Sequence, residues 1–132
     1  MNNPTILMLI IFMCSVLKES YGCAPNILEF NNNIFTGQVI QVNCTSNRNE
    51  IKGIQTIEYT HTYSFPVSEK GKGRIVWRCH VRWKNKFSTI WRAYRGAART
   101  RCGQIRFYRV ALERIYFFRN NKATTQFFDW HE

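Results

Sequence analysis

The nine residues from Ile75 to Trp83 constrain the fold more than any other stretch, because hydrophobic side chains occupy every second position. Successive side chains of a strand point to opposite faces, whereas 3.6 residues per turn would spread these positions around a helix. One face therefore carries two Trp, two aliphatic residues and a Cys, and the other presents arginine. We predict a strand in the core of a β-sandwich, with its arginines toward solvent. The hydrophobic positions are Ile75, Trp77, Cys79, Val81 and Trp83.

The same period of two recurs in shorter runs, and no helical period competes with it. Polar or glycine-containing turns separate these runs, which favours an all-β, disulfide-stabilised sandwich of about seven to eight antiparallel strands. We expect the run 31–33 to be a turn or a loose arm, and 68–73 to be a flexible hairpin connection. The other predicted strands lie within 34–44, 53–67, 87–95, 104–110, 115–119 and 125–130.

Residues 1–22 are predicted to be a secretory signal peptide that is cleaved. The apolar run 6–17 is too short for a comfortable membrane span, and the small residues Ser20 and Gly22 suit a cut after Gly22. The charged segment that usually precedes such a run is weak, so a buried or amphipathic helix is the alternative. We expect residues 23–132 to form one secreted, extracellular and monomeric domain without a transmembrane segment.

The cysteines indicate an oxidising compartment. Cys14 lies in the predicted signal peptide, and the even number that remains in a small secreted chain predicts two disulfides. No C-x-x-C or H-x-x-x-H spacing supports a metal site, and we expect neither a metal nor another cofactor. Four cysteines allow three pairings, and the sequence does not choose among them. We favour Cys79 with Cys102 and Cys23 with Cys44.

The chain is strongly basic, with 19 Lys and Arg against 8 Asp and Glu and a net charge of +11. A field of this size attracts anionic partners over long range. We expect the basic loops between strands to contact a partner, the alternative for each being an ordinary solvated loop. The candidate contacts are Lys70, Lys72, Arg74, Lys84, Lys86, Arg95, Arg99 and Arg101.

The tripeptide Asn43-Cys44-Thr45 matches the N-glycosylation acceptor N-x-T. The alternation places Asn43 on the solvent face of a strand, which permits modification. A disulfide formed by Cys44 during folding would compete with the transferase, so both states of Asn43 stay open.

The ordered set of these features resembles the plant self-incompatibility S1 family, small secreted proteins related to the stigma determinant of poppy. No single element is specific, but together they span nearly all of the chain after the predicted signal peptide. The elements similar to those of the family are Val42–Ser46, Ile57 with Tyr63 and Phe65, Trp77–Trp83, Trp91–Tyr94, Arg101-Cys102, Ile115-Tyr116 and Trp130.

Two departures from the family pattern stand out. The chain has Glu113-Arg114 where the family usually has Asp-Gly, which puts a tight glycine turn in doubt. It has Arg106-Phe107-Tyr108 where a Cys-x-Trp commonly lies. Against the family pattern, Cys23 is then interpreted as a replacement partner for Cys44.

The resemblance implies a signalling or recognition ligand without enzymatic activity. Its partner would be a receptor protein at the plasma membrane of another cell, bound through the loops that join the strands. The alternative is a cationic defence-type protein that binds anionic polysaccharide, lipid or nucleic acid without sequence specificity. In that case one basic, aromatic sheet face would form from Arg78, Arg82, Arg92, Arg106 and Arg109.

A secreted ribonuclease is a third reading, which we do not favour. It needs a His pair with a nearby Lys for general acid–base transfer. His61, His80 and His131 are present, but their positions are those of ordinary surface residues. We expect no catalytic residue.

Overall fold

The computed structural model describes residues 23–132, which form ten β-strands and no helix. The predicted signal peptide lies outside the described residues, and within them no helix is long and apolar enough to cross a membrane. The strands are β1 Asn26–Asn33, β2 Val39–Ser46, β3 Ile51–Glu58, β4 Thr62–Val67, β5 Val76–Trp83, β6 Lys86–Phe87, β7 Trp91–Arg95, β8 Ile105–Ala111, β9 Ile115–Arg119 and β10 Lys122–Phe128.

The strands form two five-stranded sheets, which confirms the predicted all-β sandwich. Sheet A has the order β10-β9-β8-β1-β4. Sheet B has the order β3-β2-β5-β6, and β7 pairs with the same edge of β5. All named pairs are antiparallel except β1 with β8, which are parallel. The strand count exceeds the predicted seven to eight, since two predicted strands are each divided and β1 was missed.

The inner faces of the two sheets make the core. All five alternating positions from Ile75 to Trp83 are buried, as predicted. Phe65 of sheet A meets Trp77 of sheet B with ring centroids 4.9 Å apart. The buried Tyr108 hydroxyl of sheet A donates a hydrogen bond of 2.6 Å to the Ala93 carbonyl of sheet B. Each such buried aromatic side chain contributes about 1.5–3 kcal/mol relative to exposure.

The predicted strand over 53–67 is wrong, because the chain turns within it and changes sheet. Residues 51–58 pair with β2 in sheet B, whereas residues 62–67 pair with β1 in sheet A. Thr60 turns the chain with a φ of 70°. A left-handed conformation is uncommon for threonine, and no glycine or proline lies at this turn, so nothing in the sequence indicated it. The predicted strand over 87–95 is likewise divided between β6 and β7.

The asparagine run is also not a loose arm. Asn32 is fully buried at the end of β1. Its Nδ2 donates to the carbonyls of Gln38 and Ile57, at 2.8 and 2.9 Å, and its Oδ1 accepts from the Ile34 N–H at 3.1 Å. A buried amide satisfied in this way joins the end of β1 to β3 and to the loop before β2.

Two disulfides form, as predicted, but with the pairing Cys44–Cys79 and Cys23–Cys102. Cys44 and Cys79 lie directly opposite each other on β2 and β5, with Cα atoms 4.1 Å apart. Because β1 and β8 are parallel, the residues that precede them meet at one end, where Cys23 bonds Cys102. The favoured pairing, and the interpretation of Cys23 as a partner for Cys44, are therefore wrong.

Candidate recognition surface

The loop before β5 and the loop after β7 lie side by side at one end of the sandwich. β7 runs antiparallel to β5, so that Arg95 pairs with Val76. The Gly96 N–H then donates to the Ile75 carbonyl at 2.8 Å. The candidate contacts were predicted in three basic loops, 69–74, 84–86 and 95–101, and the first and third of these are thereby brought together.

Glu69 fastens these two loops. Its carboxylate is buried and accepts hydrogen bonds from the Tyr94 hydroxyl at 2.5 Å and from Arg101 Nη2 at 2.9 Å. The backbone N–H groups of Ala97 and Arg101 also donate to it, at 3.3 and 3.1 Å. The predicted flexible hairpin over 68–73 is therefore wrong, since the segment crosses from sheet A to sheet B and is held by a buried carboxylate.

The environment of Glu69 keeps it ionised. Burial raises the pKa of this carboxyl, but hydrogen bonds from Arg101, Tyr94 and Ala97 outweigh it and lower the pKa to about 2. Burial and the neighbouring carboxylate raise the pKa of Tyr94. The carboxylate is thus a fixed negative charge that neutralises Arg101 and leaves the other cations of these loops uncompensated.

The turn between β2 and β3 supports the same end. Asn47 Nδ2 donates to the Arg74 carbonyl at 2.8 Å, and the Val76 N–H donates to Asn47 Oδ1 at 3.0 Å. Arg48 Nη2 donates to the Gly73 carbonyl at 3.3 Å. A Cβ on Gly71, whose φ is +110°, would lie 3.2 Å from Arg48 Nη2. Glycine thus lets the loop bend closely over the arginine.

The structure gathers six of the eight predicted contacts and separates two. Five of the six are exposed, whereas Arg101 is partly covered by its ion pair with Glu69. Lys84 and Lys86 lie at the opposite end of β5, about 25 Å away at 3.3 Å per residue, with Nζ atoms 5.4 and 5.5 Å from the Trp83 ring. We call these six cations, together with Arg48, the basic end. The six are Lys70, Lys72, Arg74, Arg95, Arg99 and Arg101.

The single basic sheet face expected for a defence-type protein does not form. Arg78, Arg82 and Arg92 lie on the outer face of sheet B, whereas Arg109 lies on the outer face of sheet A. Arg106 is buried and shares the inner face of β8 with Tyr108. These arginines therefore divide among three surfaces.

The three histidines lie on separate elements: His61 in the β3–β4 turn, His80 on β5, and His131 beside Phe87. No hydrogen bond joins any two of them within residues 23–132. That part of the chain also holds no group of three or more His, Cys, Asp and Glu suited to a metal ion.

Asn43 lies in the middle of sheet B rather than at its edge. It pairs with Ile54 of β3 and His80 of β5 and is half-buried on the outer face. Its Oδ1 has no hydrogen-bond partner among the described residues. The neighbouring Cys44 is committed to a disulfide. Glycosylation of Asn43 stays a prediction.

Two residues of this surface were missed in the sequence: Glu69, which fastens it, and Arg48, which supports it. A signal for Glu69 was present, since it is the only acidic residue between 59 and 112, in a stretch rich in Lys and Arg. A lone acid among many cations is a candidate for a buried ion pair. The sequence carried no comparable signal for Arg48, which lies in a short polar turn.

These features define a small all-β sandwich, fastened by two disulfides, with one rigid cationic end. The sequence matches the profile of the plant self-incompatibility protein S1 family over residues 27–130, and the chain belongs to this family of small secreted plant proteins.

The chain is also similar to one curated protein and, in its fold, to one solved structure. It is similar to S-protein homolog 25 of Arabidopsis thaliana, at 25% identity over 138 residues that cover 100% of this chain and 99% of the relative. Its fold is similar to a solved structure described as that of SPH (self-incompatibility protein homologue) proteins, a widespread family of small, highly stable, secreted proteins from plants. The TM-score is 0.65 at 22% identity, over 84% of this chain and 98% of the other.

Proposed function

We propose that this chain is a non-enzymatic recognition ligand that binds a receptor protein at the plasma membrane of another cell, with the basic end as its contact surface. The observation that carries the proposal is the buried Glu69 carboxylate, which holds two loops together as one surface. Lys70, Lys72, Arg74 and Arg99 then project from a backbone that is already ordered. A preordered surface loses little conformational entropy on binding.

Charge supports the same surface. A net charge of +11 accelerates encounter with an acidic partner, and clustering of the cations at one end orients that encounter. Lys84 and Lys86 are less suited to this role, because they lie at the other end and cover Trp83.

The test compares two matched pairs of charge reversals. Lys70→Glu with Lys72→Glu alters the basic end, and Lys84→Glu with Lys86→Glu makes the same change in net charge at the opposite end. Labelled protein is titrated onto plant plasma-membrane vesicles at about 0.15 M salt, with and without prior protease treatment of the vesicles. We expect saturable, protease-sensitive binding that the first pair weakens at least about tenfold, whereas the second leaves it near the parent value.

Two outcomes would count against the proposal. Equal loss in both variants, with a steep dependence on salt, would indicate non-specific attraction to an anionic surface, as in the defence-type alternative. Binding that survives protease treatment of the vesicles would exclude a protein receptor. Capture of membrane proteins with the parent and the Lys70/Lys72 variant, side by side, then identifies proteins that depend on the basic end.

A further inference from the structure

A cleft of about 490 Å³ opens where the sandwich is not closed, between strand β7 of sheet B and strands β8, β9 and β10 of sheet A. Aromatic rings line it, among them Trp91 and Tyr108, together with arginines, among them Arg106 and Arg119. None of the described residues that line it is acidic. The cleft shares Arg95 and Arg101 with the basic end and extends from there, as a concave feature, along the inner face of sheet A.

Arg106 is the unusual group in this cleft, because it is a buried cation without a counter-charge. It is 5% exposed. Its guanidinium donates only to neutral oxygens: the Ile105 carbonyl and Asn120 Oδ1, both at 3.3 Å, and Gln104 Oε1 at 3.0 Å. The ion pairs formed within residues 23–132 do not include it. Burial of a cation without an anion is unfavourable unless something else compensates for it.

The register of sheet A increases this cost. Arg119 of β9 lies directly opposite Arg106 of β8, and like charges in that position repel each other. Burial lowers the pKa of Arg106, and the charges of Arg119 and Arg101 lower it further. Arg101 is neutralised by Glu69, but the other two arginines share one wall of the cleft without an acid.

Trp91 also belongs to this cleft. It is 6% exposed, and its Nε1–H has the Tyr108 hydroxyl as a neighbouring acceptor but forms no well-aligned hydrogen bond among the described residues. Trp91 stacks on Phe128 at 4.9 Å and meets Tyr108 at 5.3 Å, which makes the wall beside it aromatic.

We propose that this cleft binds a small organic acid, whose carboxylate accepts hydrogen bonds from Arg106 and Arg119 while its apolar body packs against Phe128 and Trp91. The planar guanidinium fork matches a carboxylate, and an anion between the two arginines removes their repulsion. The volume and the aromatic walls are those of a small-molecule site. This site goes beyond the proposed receptor contact. The two surfaces share Arg95 and Arg101, but Lys70 and Lys72, which the receptor test alters, do not line the cleft, so the two proposals can fail separately.

The first experiment titrates the secreted protein, produced from the full chain, with benzoate, with its neutral isostere benzamide and with inorganic phosphate. The readout is the nuclear magnetic resonance signal of the Trp91 indole N–H. We expect benzoate to shift this signal saturably and benzamide to leave it unchanged. An equal response to benzamide would overturn the role of the acid group, and phosphate that binds as tightly as benzoate would overturn that of the apolar body.

The second experiment tests the arginines with a matched control. Arg106→Met and Arg119→Gln should each weaken benzoate binding by about tenfold or more, as expected when a charge-assisted hydrogen bond is lost. Arg109→Gln removes the same charge from the outer face of β8 and should leave binding unchanged. Arg106→Met should also melt no lower than the parent, because an unpaired buried cation is removed. If the Arg106→Met protein fails to fold, the Arg119→Gln variant tests the proposal alone, because Arg119 is exposed. Undiminished benzoate binding by Arg119→Gln would overturn the proposal.

Discussion

Arg101 and Glu69 form an unequal ion pair: Arg101 Nη2 lies 2.9 Å from Glu69 Oε2, with the arginine side chain 32% exposed and the carboxylate side chain fully buried. Removal of the arginine would leave a buried charge without its main partner, whereas removal of the acid would leave a cation that solvent can reach. The two residues therefore differ in how much the fold depends on them.

We expect Arg101→Gln to lower the free energy of unfolding by about 3–5 kcal/mol, the range typical of breaking a buried ion pair from one side. Arg99→Gln removes the same charge from an exposed residue of the same loop and should change stability by less than about 0.5 kcal/mol. Urea denaturation of both variants measures the difference. Equal stability of the two would show that Arg101 is only a surface residue.

Stability should also depend on pH through Glu69. Its pKa in the folded protein is about 2, below the ordinary value of 4.5. The folded state therefore binds this proton less readily than the unfolded state, so the contribution is complete above about pH 4.5 and is lost as pH falls toward 2. We expect the urea midpoint of the parent to fall more steeply between pH 5 and pH 2 than that of Glu69→Gln. Parallel curves would contradict this assignment.

The hydrogen bond between the sheets should contribute measurably. Tyr108→Phe removes the hydroxyl that donates to the buried Ala93 carbonyl and should cost about 1–2 kcal/mol. Tyr116→Phe is the matched control, since the Tyr116 hydroxyl donates to Glu113 at the surface. Thermal or urea unfolding of the pair gives the comparison. A Tyr108→Phe protein as stable as the control would mean that the hydroxyl contributes nothing net.

The buried Asn32 should tolerate substitution poorly. In Asn32→Asp the carboxylate cannot donate to the Gln38 and Ile57 carbonyls. Unmet buried carbonyls together with a buried charge should cost at least about 2–3 kcal/mol. The neighbouring Asn33 is exposed, so that Asn33→Asp serves as a control and should change stability by less than about 0.5 kcal/mol. Similar loss in both variants would contradict the specific role of Asn32.

Each disulfide should stabilise the fold by restricting the unfolded chain, and Cys44–Cys79 should also contribute through the packing of its buried atoms. Their sequence separations are 79 and 35 residues, for which the chain-entropy model gives about 4–5 and about 4 kcal/mol. Cys23→Ser with Cys102→Ser should give a folded protein of reduced melting temperature. Cys44→Ala with Cys79→Ala also removes buried core atoms and should be the less stable of the two. Non-reducing peptide mapping of the parent checks the pairing directly.

The local alternation of hydrophobic residues was enough to predict the class of fold. It was not enough to predict which strands, or which cysteines, pair with each other. The strand that contains Trp77 and Val81 was identified correctly because its burial alternates without interruption. The turn at Thr60 was missed because threonine is not a residue type from which a positive φ is expected. The cysteine pairing depends on which strands become neighbours, and the parallel partnership of β1 with β8 leaves no local mark.

The same limit applies to the candidate surfaces. The cations of the basic end were visible in the sequence, but only the topology shows that Lys84 lies at the other end of the molecule. Arg106 has the residue type of a surface position, yet its place on β8 turns it inward beside Tyr108. Arg106 thus occupies an inward position where the alternation would place a hydrophobic residue, and departures of this kind are expected at functional sites.

The insertion of β1 between β4 and β8 sets the order in which the molecule can mature. A chain that crosses a membrane from its N-terminus delivers β1 first and β8 much later, so sheet A remains split until most of the domain has been delivered. Cys44 and Cys79 can oxidise while that synthesis continues, but Cys23 must stay reduced until Cys102 arrives. A disulfide formed between Cys23 and Cys44 by exchange with an oxidised thiol carrier would have to be reopened by attack of another thiolate before Cys23 could bond Cys102.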